Sequence, residues 1–446
     1  MIEPHSNGVG RIGKVYHCLS SAWTIALPSP TLKGMTTSTF NTLGLSKPSL
    51  EAIENLGFTE PTPVQALSIP PGIEGKDILA AAQTGTGKTL AYLLPIFDQM
   101  VRHFGSKRPR KGPYALILAP TRELAQQISE CASAIAQTTK FRTLTVIGGK
   151  KYSTQVEKLK KGCDVLIATP GRLLDLAQQG LLSLENIHYL VLDEVDRMMD
   201  MGFWPPVNSI VRMTPKERQT FLFSATLTPD VQAKAKLVQA DPEVIEIAHK
   251  GETADTVNEY LLPVSERQKQ DLLVALLKEQ GAERVIVFTR TKQSADSCAT
   301  RLKDAGVKAD SIHADKHQGK RDRALKNFRE GKIDVLVATD VLARGIDITD
   351  VSYVVNLTVP DSPEDYIHRI GRTGRAGESG AAYTFLSPDQ LLDLREIEYH
   401  TQHLLETHDV EGFEYADDRL IPNPKRPTKR AARTGRGRRR PSLRRR

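Results

Sequence analysis

A series of short apolar runs, each stopped by a polar loop carrying glycine or proline, constrains this chain more than any other feature. They lie at Ile78 to Ala82, around Leu116, Ile167, Phe223, Val287 and Val337, and at Tyr189 to Leu192. Runs this short and this rich in β-branched residues, separated by stretches with helical spacing, predict buried parallel strands covered by helices on both faces. In such sheets the loops that do chemistry gather at the carboxyl ends of the strands.

The first run leads into AQTGTGKT, which comprises Ala82, Gln83, Thr84, Gly85, Thr86, Gly87, Lys88 and Thr89. The segment after it, LAYLLPIFDQMVRHF, has apolar residues at helical spacing. Strand, glycine-rich loop, helix is the context in which backbone N–H groups at a helix N-terminus hold phosphates, because those donors have no intrahelical partner and sit at the positive end of the dipole. Gly85 and Gly87 let the backbone wrap closely, Lys88 reaches the β- and γ-phosphates, and the Thr89 hydroxyl suits a magnesium ion bridging them. Ala82 stands where the motif usually has its first glycine.

The run at Tyr189 to Leu192 delivers Asp193, Glu194, Val195 and Asp196. Carboxylates at a strand end can hold the water shell of magnesium and polarise an attacking water. Asp193 is the metal-side candidate and Glu194 the base. An acidic loop capping the next helix is the plainer alternative.

At 446 residues the chain exceeds what one core usually organises, so two domains are expected. No run of 18 apolar residues suggests a membrane span. Cys18, Cys131, Cys163 and Cys298 are far apart and form no CxxC pair, which argues against a zinc site and a disulfide framework and suits a reducing cytoplasm. The net charge of +8 is unevenly spread. Twelve Lys or Arg and no acidic residue lie between Lys425 and Arg446, leaving 49 basic against 53 acidic residues elsewhere. Dense positive charge with glycine and proline cannot bury a core, so the tail is expected to be disordered and to bind nucleic acid in a salt-dependent way.

VLIAT at Val165 to Thr169 and VLVAT at Val335 to Thr339 are nearly identical and point to an internal duplication. The expected organisation is an N-terminal extension over 1–39, a first α/β domain over 40–249, and a linker over 250–256. A second domain over 257–388, a helical extension over 389–421 and the basic tail over 422–446 follow.

From Phe40 to about Leu386 the motifs occur in a recognisable order. GFTEPTPVQ at Gly57 to Gln65, AQTGTGKT, PTRELA at Pro120 to Ala125, Gly148 with Gly149, TPGR at Thr169 to Arg172 and DEVD come first. SAT at Ser224 to Thr226, FTRT at Phe288 to Thr291, QGKR at Gln318 to Arg321, ATDVLARGID at Ala338 to Asp347 and HRIGRTGR at His368 to Arg375 follow. The set resembles the DEAD-box RNA helicases, most closely their compact bacterial RhlE-like branch. Val195 departs from the alanine of the family's Asp-Glu-Ala-Asp; as all three carboxylates remain, it is expected to alter packing rather than chemistry.

This resemblance implies two tandem RecA-like domains, each a mainly parallel sheet flanked by helices, with disordered termini. It implies an RNA-stimulated ATP hydrolase that uses Mg²⁺, closes two domains on ATP and single-stranded RNA, and separates short duplexes. Gln65 would read adenine through its amide, Phe58 would stack on the base, Phe40 would support that pocket and Asp347 would contact the ribose. Arg372 and Arg375 would reach the γ-phosphate from the second domain as arginine fingers. Asp196, Ser224, Thr226 and His368 would couple the nucleotide site to closure. Thr121, Arg122, Gly149, Thr169, Gly171, Arg172, Arg290, Thr339 and Arg344 would meet the RNA backbone, largely without regard to sequence. A monomeric cytoplasmic enzyme in a ribosome-assembly or mRNA-decay setting is expected. Two other readings fit the same motifs: an ATP-gated RNA clamp without productive turnover, and a DNA-translocating helicase.

Overall fold

A computed structural model describes residues 39–82, 85–105, 113–247, 257–340, 348, 351–374, 379–423 and 425. All belong to one compact unit beginning at Ser38. The described residues form two sheets of seven strands, with every pairing among them parallel.

The first sheet contains β1 (Ile78–Ala81), β2 (Ala115–Leu118), β3 (Thr143–Val146), β4 (Val165–Ala168), β5 (Tyr189–Leu192), β6 (Gln219–Ser224) and β7 (Glu243–Glu246), in the order β3-β4-β2-β5-β6-β1-β7. Alternation along these strands sorts the core into two layers. Ile78, Ala80, Ile117, Val165, Ile167, Val191, Phe221 and Phe223 meet α1 (Lys47–Asn55), α2 (Pro63–Ile73), α3 (Lys88–Phe104) and α4 (Arg122–Thr139) on one face. Leu79, Leu116, Leu118, Leu166, Leu190, Leu192 and Leu222 meet α5 (Tyr152–Lys160), α6 (Pro170–Gln178), α7 (Val195–Asp200), α8 (Trp204–Met213) and α9 (Pro229–Val238) on the other. With both faces covered, a strand has no polar side, which is why the runs read as continuously apolar.

The second sheet repeats the plan with β8 (Val257–Pro263), β9 (Val285–Thr289), β10 (Ala309–Ile312), β11 (Val335–Thr339), β12 (Tyr353–Asn356), β13 (Gly380–Leu386) and β14 (Glu406–Thr407), ordered β10-β11-β9-β12-β13-β8-β14. Its helices among the described residues are α10 (Lys269–Gln280), α11 (Lys292–Asp304), α12 (Gln318–Arg329), α13 (Pro363–Ile370) and α14 (Leu391–Thr401). The two near-identical pentapeptides fall on β4 and β11, the second strand of each order, so the duplication read from five residues is a duplication of topology.

One expectation needs correction. The helix pattern over 389–421 ends at Thr401, and the chain then adds β14 alongside β8 before packing Val410, Phe413 and Tyr415 against the second core. Periodicity was blind to this because a two-residue strand carries no period. The expected linker over 250–256 and the basic stretch from Arg426 onward lie outside the described residues.

Candidate nucleotide and nucleic-acid site

Because every strand of the first sheet runs the same way, the loops after β1, β2, β4, β5 and β6 open on one side of it. After β1, Gly85 and Gly87 take φ of 86° and 87°, a region that L side chains avoid, and Gly87 starts α3. Lys88 follows as the first helical residue, 7% exposed, its Nζ with no hydrogen-bond partner. Ala82 is buried at the strand end and donates its N–H to the Ser224 carbonyl at 3.0 Å, tying this loop to SAT. Gln83 and Thr84 lie outside the described residues.

Asp193 faces Lys88 from the end of β5. Its Oδ2 accepts from the Tyr92 hydroxyl at 2.9 Å, while Oδ1, fully buried, has no partner. Burial pushes the carboxyl up to about 6; the Lys88 cation pulls it back, and Glu194 beside it pushes the same way as burial. Tyr92, one turn after Lys88 on α3, is pushed well above its ordinary value by burial and by Asp193. Sequence reading missed it, although the i,i+4 spacing from Lys88 puts both on one helix face. Glu194 is held at φ 55°, strained for a side chain with a Cβ, and its Oε2 lies 3.9 Å from Arg197. Val195 is fully buried against the leucine layer.

Asp196 reaches the SAT segment directly, its Oδ2 accepting from the Ala225 N–H at 2.8 Å. Ser224 is fully buried with an unpartnered Oγ, and Thr226 is exposed. Thr228, with Pro229 behind it, accepts from Val231 N–H as the cap of α9.

Gln65 closes a capping box at the start of α2, its Oε1 accepting from Thr62 N–H at 3.0 Å, and its Nε2 donates to the Gly87 carbonyl at 3.0 Å. One amide hydrogen and one oxygen lone pair remain, the pair of functions adenine's N7 and N6 edge requires. Phe58 is 48% exposed, a ring with a free face, whereas Phe40 is 4% exposed within the core.

On the other strand-end loops, Thr121 caps α4, its hydroxyl accepting from Leu124 N–H at 3.2 Å. Gly149 takes φ 76°, strained for any residue with a Cβ, and a side chain there would displace the Arg122 guanidinium. Thr169 precedes α6, Gly171 has open space about it, and Arg172 lies 5.2 Å from the Tyr152 ring centre. In the second lobe Arg290 pairs with Asp361 at 2.7 Å and Thr339 is buried at the end of β11. Arg344, Asp347 and Arg375 lie outside the described residues.

Arg372 is 2% exposed in the turn after α13, and His368 sits on that helix, partly exposed. Arg369, unassigned from sequence, donates to both oxygens of Asp340 at 2.6 and 2.8 Å and to Asn356 and the Thr358 carbonyl, with its guanidinium 5.2 Å from the Phe288 ring centre. It is a structural anchor that fixes α13 against β12 and β11. Between lobes, Gln318 donates from Nε2 to Glu123 at 3.0 Å and its Oε1 accepts from Arg122 at 3.2 Å, and Arg321 pairs with the same Glu123 carboxylate.

Buried Lys88 and Asp193 with unpartnered atoms suit a polyanion and its cation. Among the described residues no group of three or more His, Cys, Asp or Glu could hold a metal, so a cation here needs phosphate or water to complete its shell.

A glycine-rich phosphate loop after the first strand of one parallel sheet, repeated as a second lobe that docks through Glu123, defines a two-lobed RecA-like nucleotide triphosphatase. The DEAD/DEAH box helicase family matches residues 62–234 and the helicase conserved C-terminal domain matches 268–377. The DEAD-box RNA helicase CshA of Geobacillus kaustophilus is 43% identical over 369 residues, 83% of this chain and 78% of that protein. CshA of Bacillus subtilis is 43% identical over 366 residues, 82% and 73% of the respective chains. This chain belongs to the DEAD-box RNA helicase family. Among solved structures, Saccharomyces cerevisiae Dbp5 bound to RNA and ADP BeF3 superposes with a TM-score of 0.75 at 31% identity, covering 84% of this chain and 96% of that one. Mss116 bound to single-stranded RNA and UDP-BeF gives 0.77 at 29% identity, covering 85% and 81%.

Proposed function

We propose that this chain is an ATP-dependent RNA helicase that binds single-stranded RNA across its two lobes, hydrolyses ATP when they close, and separates short duplexes locally. The observation that carries the reading is the pair of unpartnered buried groups, Lys88 Nζ and Asp193 Oδ1, at the mouth of a glycine loop. Leaving a buried donor and acceptor unmade costs about 1–3 kcal/mol each, and a site keeps such groups when a ligand satisfies them.

In this reading the glycine loop and Lys88 hold the β- and γ-phosphates, and Gln65 and Phe58 select adenine. Thr89 and Asp193 hold Mg²⁺, which would neutralise charge on the phosphates. Glu194 orients and deprotonates the attacking water. Arg372, joined by Arg375, stabilises charge on the γ-phosphoryl group once the lobes meet. The Asp196–Ala225 bond carries the state of the nucleotide site to the Ser224–Thr226 segment. Thr121, Arg122, Gly149, Thr169, Gly171, Arg172, Arg290, Thr339 and Arg344 take RNA phosphates and 2′-hydroxyls, and the basic tail adds salt-dependent affinity. The enzyme acts as a cytoplasmic monomer.

Steady-state ATP hydrolysis by the full chain, with and without single-stranded RNA and with DNA of the same sequence, tests this. RNA stimulation well above that by DNA supports it. Equal stimulation by DNA points to a DNA translocase, and tight ATP-dependent RNA binding with negligible turnover to a clamp.

A further inference from the structure

Among the described residues β3 is the last strand of the first sheet, with no strand on its outer side. Its carbonyls at Arg142 and Val146 accept from Val165 and Thr169, so the backbone groups of Thr143 and Thr145 point away from β4. Because α4 packs on one face of the sheet and α5 on the other, the edge forms the floor of a groove between them of about 590 Å³.

This groove is polar and basic. Ser129, Ser133, Thr143 and Thr145 line it in two hydroxyl pairs, Ser133 with Thr143 at 3.1 Å and Thr145 donating to Ser129 at 2.7 Å. Lys150, Lys151 and Lys158 line the α5 side, all exposed, against the single carboxylate of Glu130. From Lys140 to Lys161 the chain carries seven Lys or Arg and one acidic residue, Glu157. An unpaired strand edge ordinarily invites another strand, and charge of this kind discourages it while attracting a polyanion.

Its position decides which polyanion. Its lining begins at Lys150, the residue after Gly149, and at Gln126, one turn beyond Arg122 on α4, Gly149 and Arg122 being residues proposed above for the RNA backbone, and it runs past Ser129 and Ser133 on successive turns, a distance of about 10 Å. Strand emerging from the Gly149 turn would pass the three lysines. We propose that this groove continues the RNA path beyond the cleft, gripping phosphates of flanking nucleotides through Lys150, Lys151 and Lys158. The proposal rests on the RNA reading of the main site.

The test uses the full chain and the doubly reversed variant Lys151→Glu, Lys158→Glu, both positions being solvent-exposed. Binding is measured with a non-hydrolysable ATP analogue to oligouridylates of about 6 and about 20 nucleotides. The expected result is wild-type preference for the longer strand, and a loss of about tenfold for that strand alone in the variant. Its salt slope should fall by about one for each lysine lost. Preference for the long strand that persists in the variant would overturn the groove, as would equal losses for both lengths. Selective binding of an acidic peptide there, with RNA unaffected, would assign it to a protein partner instead. If the wild type binds neither RNA, the reading of the main site itself fails.

Discussion

Glu123 of the first lobe and Arg321 of the second form an ion pair with side chains only 2% and 5% exposed. Removing one partner of a buried pair leaves an uncompensated charge that costs about 3–5 kcal/mol, whereas replacing both by apolar residues of similar size is close to neutral. The cost here falls on closure, because the partners belong to different lobes. Arg321→Ala should cut RNA-stimulated ATP hydrolysis by about 10²-fold or more while leaving each lobe folded. Glu123→Leu combined with Arg321→Met should recover most of the loss, read as turnover at saturating RNA.

Asp193 gives stability an unusual pH dependence. Its carboxyl is raised by burial from 3.8 to about 6, so the unfolded chain releases this proton first and stability falls as pH rises through that window. Asp193→Asn mimics the protonated form. Without magnesium it should be more stable than wild type above pH 6, by up to about 3 kcal/mol, and no more stable below pH 4. Urea unfolding across pH checks both limbs. Tyr92→Phe removes the donor to the ionised carboxylate and should act oppositely, destabilising by about 1–2 kcal/mol near neutral pH.

Val195 is fully buried in the leucine layer and makes no polar contact through its side chain. Restoring the family's alanine should open a small void, costing about 1–3 kcal/mol in thermal or urea unfolding. Turnover should stay within about threefold of wild type, since Asp193, Glu194 and Asp196 are untouched.

For Arg372 the opposite split is expected. Arg372→Ala should lower RNA-stimulated turnover by about 10³-fold, the range for a lost arginine finger, with nucleotide affinity of the first lobe changed no more than about threefold. Fluorescent-nucleotide titration beside steady-state kinetics separates the two effects.

Legibility followed locality. Strands and the glycine-rich loop were readable because apolar periodicity and glycines such as Gly85 and Gly87, both at positive φ, are written within a few residues. Gln65 was readable only in part: the adenine role proposed for it came from a resemblance, while its bond to the Gly87 carbonyl needs α2 folded against the loop. The pairings of Arg369 with Asp340 and of Glu123 with Arg321 were invisible although all four residues lie within quoted motifs, because the partners are 29 and 198 residues apart and nothing local says which meets which. The end of α14 was misjudged for the reverse reason: the segment beyond it is fixed by what β8 offers, not by its own composition.

That late strand moves the border of the second lobe past its last recognisable motif. Glu406 and Thr407 shield the outer rim of β8, and Arg395 fastens the segment further on by donating to the Asn423 carbonyl at 2.6 Å. A shortened protein ending near Leu386 would expose a raw sheet margin and clump with its own copies. Trimming just after Lys425 would remove the basic tail with this fastening intact.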